Sequence, residues 1–437
     1  MTSDDPRRSL SSPGGVAVSG ADVRAAGRSP TRRRRLWLLR SLLTLGAAFL
    51  TLLLGEFALR GLVCVKARSM RPLFAPVVQD RLASRDDPIR HHALAEDAEF
   101  VATGMPPGLE YCVFGRTSPE GWNDDPLPPR RLRGERRALV LGDSFVEARQ
   151  VPRGAGFCDL LERDLAARRD GPVRVINAGV GSYSTLLELL YYRQLRARTA
   201  PDVVLLVFFS NDVYDVLCHV ANARWDDEGR PIAVKPGYVE VPLRAQRNVA
   251  YQKVMRMVFF AERPRAAEVS YVASLAHYVM RCRRLRNWFP EPPQNDQFFI
   301  LEDDPALRPA QEHGWGLVRQ FLALLGEECR KDQTQLILTA APMASQVCGH
   351  SSYDRFFFRG RPNNEDNRRL RVIAGDLGIP FVDLLEPLRR GGPDLYYRRD
   401  GHWTPKGHAV VAKTLAPVLD KALQADAPAA EEPGAKE

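Results

Sequence analysis

Nowhere in the 437 residues do two cysteines form a Cys-x-x-Cys pair, and none stands at metal-ligand spacing. Cys64, Cys112, Cys158, Cys218, Cys282, Cys329 and Cys348 are scattered, which excludes a disulfide framework and gives no reason to expect a metal centre. Their odd number leaves at least one thiol unpaired within the chain. A distributed basic surface of the kind that grips nucleic acid is also missing, although the net charge is +9. Residues 1–40 hold nine arginines against Asp4, Asp5 and Asp22, so two thirds of the excess sits on one tail. Later runs such as "RCRRLRNW" (281–288) read as solvated helix faces. No small-x-small cleavage site follows the first apolar run, which argues against a removed signal peptide. Val63 stands before Cys64 where lipoprotein processing wants a small residue. Residues 1–31 lack hydrophobic periodicity and are expected to be disordered.

What is present begins with "RRRRLWLLRSLLTLGAAFLTLLLGEFALRGLV". From Ser41 to Leu59 only Glu56 is charged, and about 19 such residues can span a bilayer. The expectation is a basic, disordered cytoplasmic tail over 1–35 and an uncleaved transmembrane helix over 36–60. Positive charge prefers the cytoplasmic side, so the rest of the chain is expected in the periplasm or outside the cell.

Residues 61–135, with "MPPG" and "SPEGWNDDPLPPRR", read as a stalk and irregular lead-in. From 136 to 423 short apolar runs alternate with helical patterns. Strands are expected at 137–144, 172–179, 202–212, 335–342 and 379–384. Helices are expected near 156–168, 185–198, 312–331, 364–377 and 405–423. Near-continuous apolar strands separated by helices indicate a parallel sheet covered on both faces. Thr185-x-x-Glu188 reads as a capping box opening the second helix. Residues 213–311 break the alternation and read as an insertion, turn-like at "EGRPIAVKPG" and helical after it. Residues 424–437 are expected to be disordered.

Ligands of such sheets collect at the carboxyl ends of the strands. The first strand ends at Ser144 on a Gly-Asp turn, and the second ends in "NAGVGSYST". The third reaches Asn211, and "RRDGHWTPKGH" supplies Asp400 and His402 before the last helix. A serine hydroxyl is a weak nucleophile and needs a positioned base. Histidine suits that role, with a carboxylate fixing its tautomer. Asp400 can reach the ring of His402 only across a tight turn, which Gly401 permits. The Ser144 and Ser182 N–H groups and the Asn211 amide can face an oxyanion. His408 reads as a structural histidine packed under the last helix.

With these blocks on the page, the chain resembles the SGNH (GDSL-type) hydrolase superfamily. "GDSF" implies Ser144 as nucleophile. "NAGVGSYST" places Ser182 where the family usually has a glycine as oxyanion donor. Phe209-Ser210-Asn211-Asp212 keeps Asn211 of the family's Gly-x-Asn-Asp and loses its glycine. Asp400-Gly401-His402 is one residue shorter than the usual Asp-x-x-His and looks like the Asp-x-His-Trp form of alginate O-acetyltransferase-related proteins. The resemblance covers about 136–212 and 330–420. It implies a flavodoxin-like three-layer α/β/α fold with a five-stranded parallel sheet, behind one transmembrane helix, and no cofactor or metal. It further implies a serine esterase using Ser144, Asp400 and His402, acting on an O-acyl ester of carbohydrate, envelope polymer or lipid. Two alternatives remain. One is an O-acyltransferase acting on an exopolysaccharide or envelope glycan, with Trp225, Tyr238, Tyr251 and Trp288 of the insertion as a sugar platform. The other is a catalytically silent envelope-binding protein.

Overall fold

The computed structural model describes residues 30–65, 84–103, 110–237, 296–348, 364–398 and 400–424, with a few isolated positions between 241 and 279. The expected disorder of 1–29 and 425–437, and Tyr238, Tyr251 and Trp288, lie outside them, as does most of the stretch where the insertion was expected to turn helical; its described positions 271–273, 275–276 and 279 are helical. The chain divides after Ala58 into two units.

Helix α1 (Pro30–Val65) belongs mostly to the first unit. It starts inside the expected tail because Pro30 is pre-set for a first helical position and the arginines are good helix formers. Its stretch from Arg33 to Gly61 is long and apolar enough to cross a membrane. Leu42, Leu45, Phe49 and Leu54 are all exposed, so the helix is apolar all round.

The second unit begins with two antiparallel hairpins where an irregular lead-in was expected. Strand β1 (Ser84–Asp87) pairs with β2 (His91–Leu94), and β3 (Glu99–Thr103) pairs with β4 (Cys112–Arg116). Local pattern in "SRDD" and "HHAL" is too weak to announce a strand. Phe100, Ala102, Val113 and the fully buried Trp122 nevertheless join the core, and that packing orders the segment.

The central sheet holds β5 (Arg136–Gly142), β6 (Val173–Asn177), β7 (Val203–Phe209), β10 (Gln335–Ala341) and β11 (Phe381–Val382). All neighbours are parallel and the order is β11-β10-β7-β5-β6, the flavodoxin-like arrangement. Every residue of β7 is buried, as a strand covered on both faces requires. The chain moves one way along the sheet from β5 to β6 and the other way from β6 to β7. Right-handed crossovers therefore place α3 (Phe157–Arg168) and α4 (Thr185–Thr199) on opposite faces. Between β5 and α3 lies the single-turn α2 (Ser144–Glu147).

After β7 come α5 (Asp212–Ala221) and the hairpin β8 (Ala223–Trp225) with β9 (Pro231–Val234), so the described start of the insertion is helix and hairpin. Helix α6 (Arg308–Lys331) packs beside α4, and Pro309 opens it earlier than the expected 312. Short α7 (Ala344–Cys348), α8 (Glu365–Leu377) and α9 (Leu385–Gly391) follow, and α10 (Pro405–Gln424) packs beside α3. The fifth strand is only two residues long, because Asp383 turns out of the sheet to accept the Leu385 N–H.

One local expectation fails. The Thr185–Glu188 capping box does not form, because Ser184 is the residue before the helix and its hydroxyl bonds His219. Thr185 Oγ1 and both carboxylate oxygens of Glu188 are buried without a hydrogen-bond partner among the described residues.

Candidate active site

Strand β5 ends against Gly142, whose backbone (φ +157°) leaves the sheet with Val146 packed close above it. Asp143 caps the short α2: its Oδ1 accepts the Phe145 N–H at 2.9 Å. Ser144 is thereby the first residue of a helical turn, and its own N–H finds no acceptor among the described residues. Such an orphan amide at a helix start is a ready donor for an anion. From the other end of the chain, His402 Nε2 lies 2.8 Å from Ser144 Oγ and its Nδ1 lies 2.5 Å from Asp400 Oδ1. The turn that brings Asp400 onto the ring runs through Gly401 at φ +81°, a conformation a side chain would strain.

Local packing holds this loop. Trp403 is fully buried against Phe145 and Phe157, and Tyr396 bridges to it across the turn. The Tyr397 N–H donates to the His402 carbonyl at 2.8 Å. His408 lies within the first turn of α10 rather than beneath it, buried toward α3, where its Nδ1 accepts the Phe157 N–H. Burial holds its imidazole neutral, with the pKa depressed to about 3.

Burial likewise disfavours charge on the His402 imidazole, but the Asp400 carboxylate more than offsets it and holds the pKa above the ordinary value. Asp400 responds in the opposite sense. Its burial raises the pKa, and His402 together with the Tyr111 hydroxyl brings it below normal. Beneath Ser144 the pattern reverses. Asp143 is pushed up to about 6 by burial against the pull of the Phe145 N–H. Glu188, Asp212 and Asp215 are also driven upward by burial, with neighbouring carboxyls adding to it.

The second expected block approaches α2 closely. A Cβ on Gly179 would stand 2.2 Å from the Glu147 nitrogen, so only glycine fits there. The Gly181 N–H donates to Glu147 Oε2 at 2.8 Å, and the Gly181 carbonyl meets His92 Nε2 at 2.8 Å. Ser182 sits in the left-handed region at φ +63°, where the family usually has glycine, and its N–H has no acceptor among the described residues. Asn211 donates one amide N–H to Asp215 Oδ2 at 2.9 Å.

Ser144, Ser182, Asn211 and His402 together line a cavity of about 150 Å³. Phe145, Phe209, Phe298 and Met343 make its apolar wall, and Arg149 stands at the site as its cation. The sequence reading missed three contributors: His92 behind the Gly181 turn, Tyr111 on Asp400, and Asn123, whose amide holds the Glu147 carbonyl at 2.7 Å. All three come from the lead-in. No motif marks them, because their partners lie from 24 to 289 positions away. Trp225, expected on a sugar platform, is partly exposed on β8 and does not line the cavity.

Residues 350–435 match a family described as SGNH hydrolase-like domain, acetyltransferase AlgX. A probable alginate O-acetylase, AlgJ of Azotobacter vinelandii, is 31% identical over 98 residues, covering 21% of this chain and 24% of that protein. The match therefore spans about a quarter of the curated relative's length. Among solved structures, a GDSL-like lipase of Bacteroides thetaiotaomicron aligns at 12% identity over 68% of this chain and 93% of its own, with a TM-score of 0.35. The structure of TesA aligns at 13% identity over 66% and 99%, also with a TM-score of 0.35. The family match and the curated relative associate the chain with acyl hydrolases and acetyltransferases.

Proposed function

We propose, for a chain that is a member of the SGNH hydrolase superfamily, that Ser144 carries a short acyl group between an O-acyl ester and water. The observation that carries this reading is the continuous path from Ser144 through His402 to Asp400, 2.8 Å and 2.5 Å per step. Neutral His402 takes the Ser144 proton at Nε2 as Oγ attacks the ester carbonyl. Asp400 holds the Nδ1–H tautomer and stabilises the imidazolium that forms. Charge then develops on the former carbonyl oxygen. The free N–H groups of Ser144 and Ser182 and the second N–H of Asn211 are the donors assigned to it. His402 returns its proton to the departing alcohol, and water repeats the sequence in reverse to release the acid and regenerate Ser144.

Cavity size supports a small acyl group. About 150 Å³ with an apolar wall of Phe145, Phe209, Phe298 and Met343 accommodates an acetyl-sized chain. A second reading, transfer of that acyl group to a carbohydrate hydroxyl, is supported by the acetyltransferase domain match and the O-acetylase relative. It uses the same residues and differs only in the second acceptor. We also take α1 as a membrane anchor with its arginine-rich end in the cytoplasm, which places the site on the other side.

The test is hydrolysis of an aryl acetate by the full-length chain. Turnover is expected for acetyl, falling steeply for long acyl chains, and absent from Ser144→Ala. Wild-type turnover by Ser144→Ala would remove the assignment. Adding an oligosaccharide acceptor and weighing the products separates transfer from hydrolysis.

A further inference from the structure

Asp400 is gripped from a part of the chain that carries none of the four motif blocks. One carboxylate oxygen, Oδ1, faces His402 Nδ1. The other, Oδ2, accepts the Tyr111 hydroxyl at 2.7 Å, and the Asp400 N–H donates to Glu110 Oε2 at 3.0 Å. Tyr111 stands at the entry to β4, 289 positions before Asp400. Its ring packs on Tyr397 with centroids 4.7 Å apart, which fixes the direction of its hydroxyl.

The geometry assigns Tyr111 as a positioning residue that orients Asp400 toward His402 and tunes the basicity of that histidine. This rests on the proposed serine mechanism. A carboxylate two residues from its histidine can rotate about its own side chain, and only one rotation aims Oδ1 at Nδ1. The Tyr111 hydroxyl selects that rotation by occupying Oδ2. It also draws charge from the carboxylate, so the hold of Asp400 on the imidazolium is weaker than it would be alone. Burial and the nearby Asp400 charge keep the Tyr111 phenol protonated, so it is a constant donor. Other charged groups near the pair are Asp143, which favours the imidazolium, and Arg149, which opposes it. Glu110 meets Asp400 through its backbone N–H.

The experiment compares full-length wild type with Tyr111→Phe, Tyr397→Phe, Asp400→Asn, Ser144→Ala and the Tyr111→Phe/Asp400→Asn double variant, using an aryl acetate over a range of pH. Tyr111→Phe removes one oxygen and leaves the ring contact with Tyr397. The expected result is kcat lowered by about 10–100-fold, the range set by a hydrogen bond to a charged group, with KM unchanged. The pH midpoint of kcat/KM is expected to move upward, because the released carboxylate holds the imidazolium more firmly. In the Asp400→Asn background Tyr111→Phe is expected to add little. Tyr397→Phe removes a hydroxyl that among the described residues donates to the Gln150 carbonyl, and is expected to match wild type in pH midpoint. Wild-type kcat and pH midpoint for Tyr111→Phe would overturn the assignment, as would a loss fully additive with Asp400→Asn. Ser144→Ala separates the two readings: its retained turnover overturns the serine mechanism itself, whatever Tyr111→Phe does.

Discussion

The two ends of the central sheet carry the same acidic residue types in opposite circumstances. At the amino ends of the strands, Glu135 and Asp202 meet Arg131, Arg136 and Arg137. The Arg137–Glu135 pair is almost wholly buried and Arg137 also donates to the Thr199 carbonyl. Burial alone would raise the Glu135 pKa, but Arg137 and the Leu132 N–H bring it below normal. At the carboxyl ends, Asp143, Glu188, Asp212 and Asp215 have no arginine bonded to them among the described residues, and burial drives each upward. One end uses paired charge to fix the strands. At the other, burial pushes carboxyls beneath Ser144 and His402 toward their protonated forms, while His402 and the Tyr111 hydroxyl hold Asp400 below its ordinary pKa.

The contrast can be broken at either end. The largest effect is expected from Asp400→Asn, which keeps the shape of the proposed Ser144–His402–Asp400 triad but, in the proposed mechanism, leaves His402 in the wrong tautomer. A loss of about 10⁴ in kcat is expected from steady-state kinetics with an aryl acetate, with the denaturation midpoint little changed. At the opposite end, Arg137→Ala leaves Glu135 buried without its cation. Denaturant unfolding should then show a loss of about 3–5 kcal/mol, while kcat of the folded fraction is unchanged. Asn211→Ala takes away one proposed oxyanion donor, for an expected loss of about 10²–10³ in kcat with KM preserved.

How much of this could be read from the chain depends on whether a residue's partner was local. Strands β5, β7 and β10 are continuous apolar runs, so they and their covering helices were legible, as were Ser144, Asn211, Asp400 and His402 at strand or loop ends. Glu188 was misread. Its spacing from Thr185 suits a capping box, yet the side chain points into the core, a choice made by packing from other elements. Strand β1 is "SRDD", which no strand pattern would pick out, and it is ordered by the core that Trp122 and Phe100 enter. Tyr111 and His92 carry no signature, since what matters about each is a contact across the fold.

Smaller effects sharpen the comparison through pH. Only neutral His402 can accept the Ser144 proton, and its folded pKa lies above the ordinary value of about 6.5. The kcat/KM profile is therefore expected to rise with pH, with its midpoint above that value. Glu188 gives the complementary test in stability. Its folded pKa is raised, so the folded chain holds a proton the unfolded one has lost, and stability falls as pH rises above the unfolded value of about 4.3. Glu188→Gln abolishes that share. Its denaturation midpoint should gain on wild type between acidic and alkaline buffer, and a constant difference across pH would count against a proton on Glu188.

The most direct measurement is covalent capture of the nucleophile in the full-length chain. A fluorophosphonate followed by peptide mapping is predicted to modify one residue, Ser144, at a rate strongly reduced in His402→Ala and with no adduct in Ser144→Ala. A folded wild-type chain that stays unlabelled, or one labelled at another serine, would contradict the account.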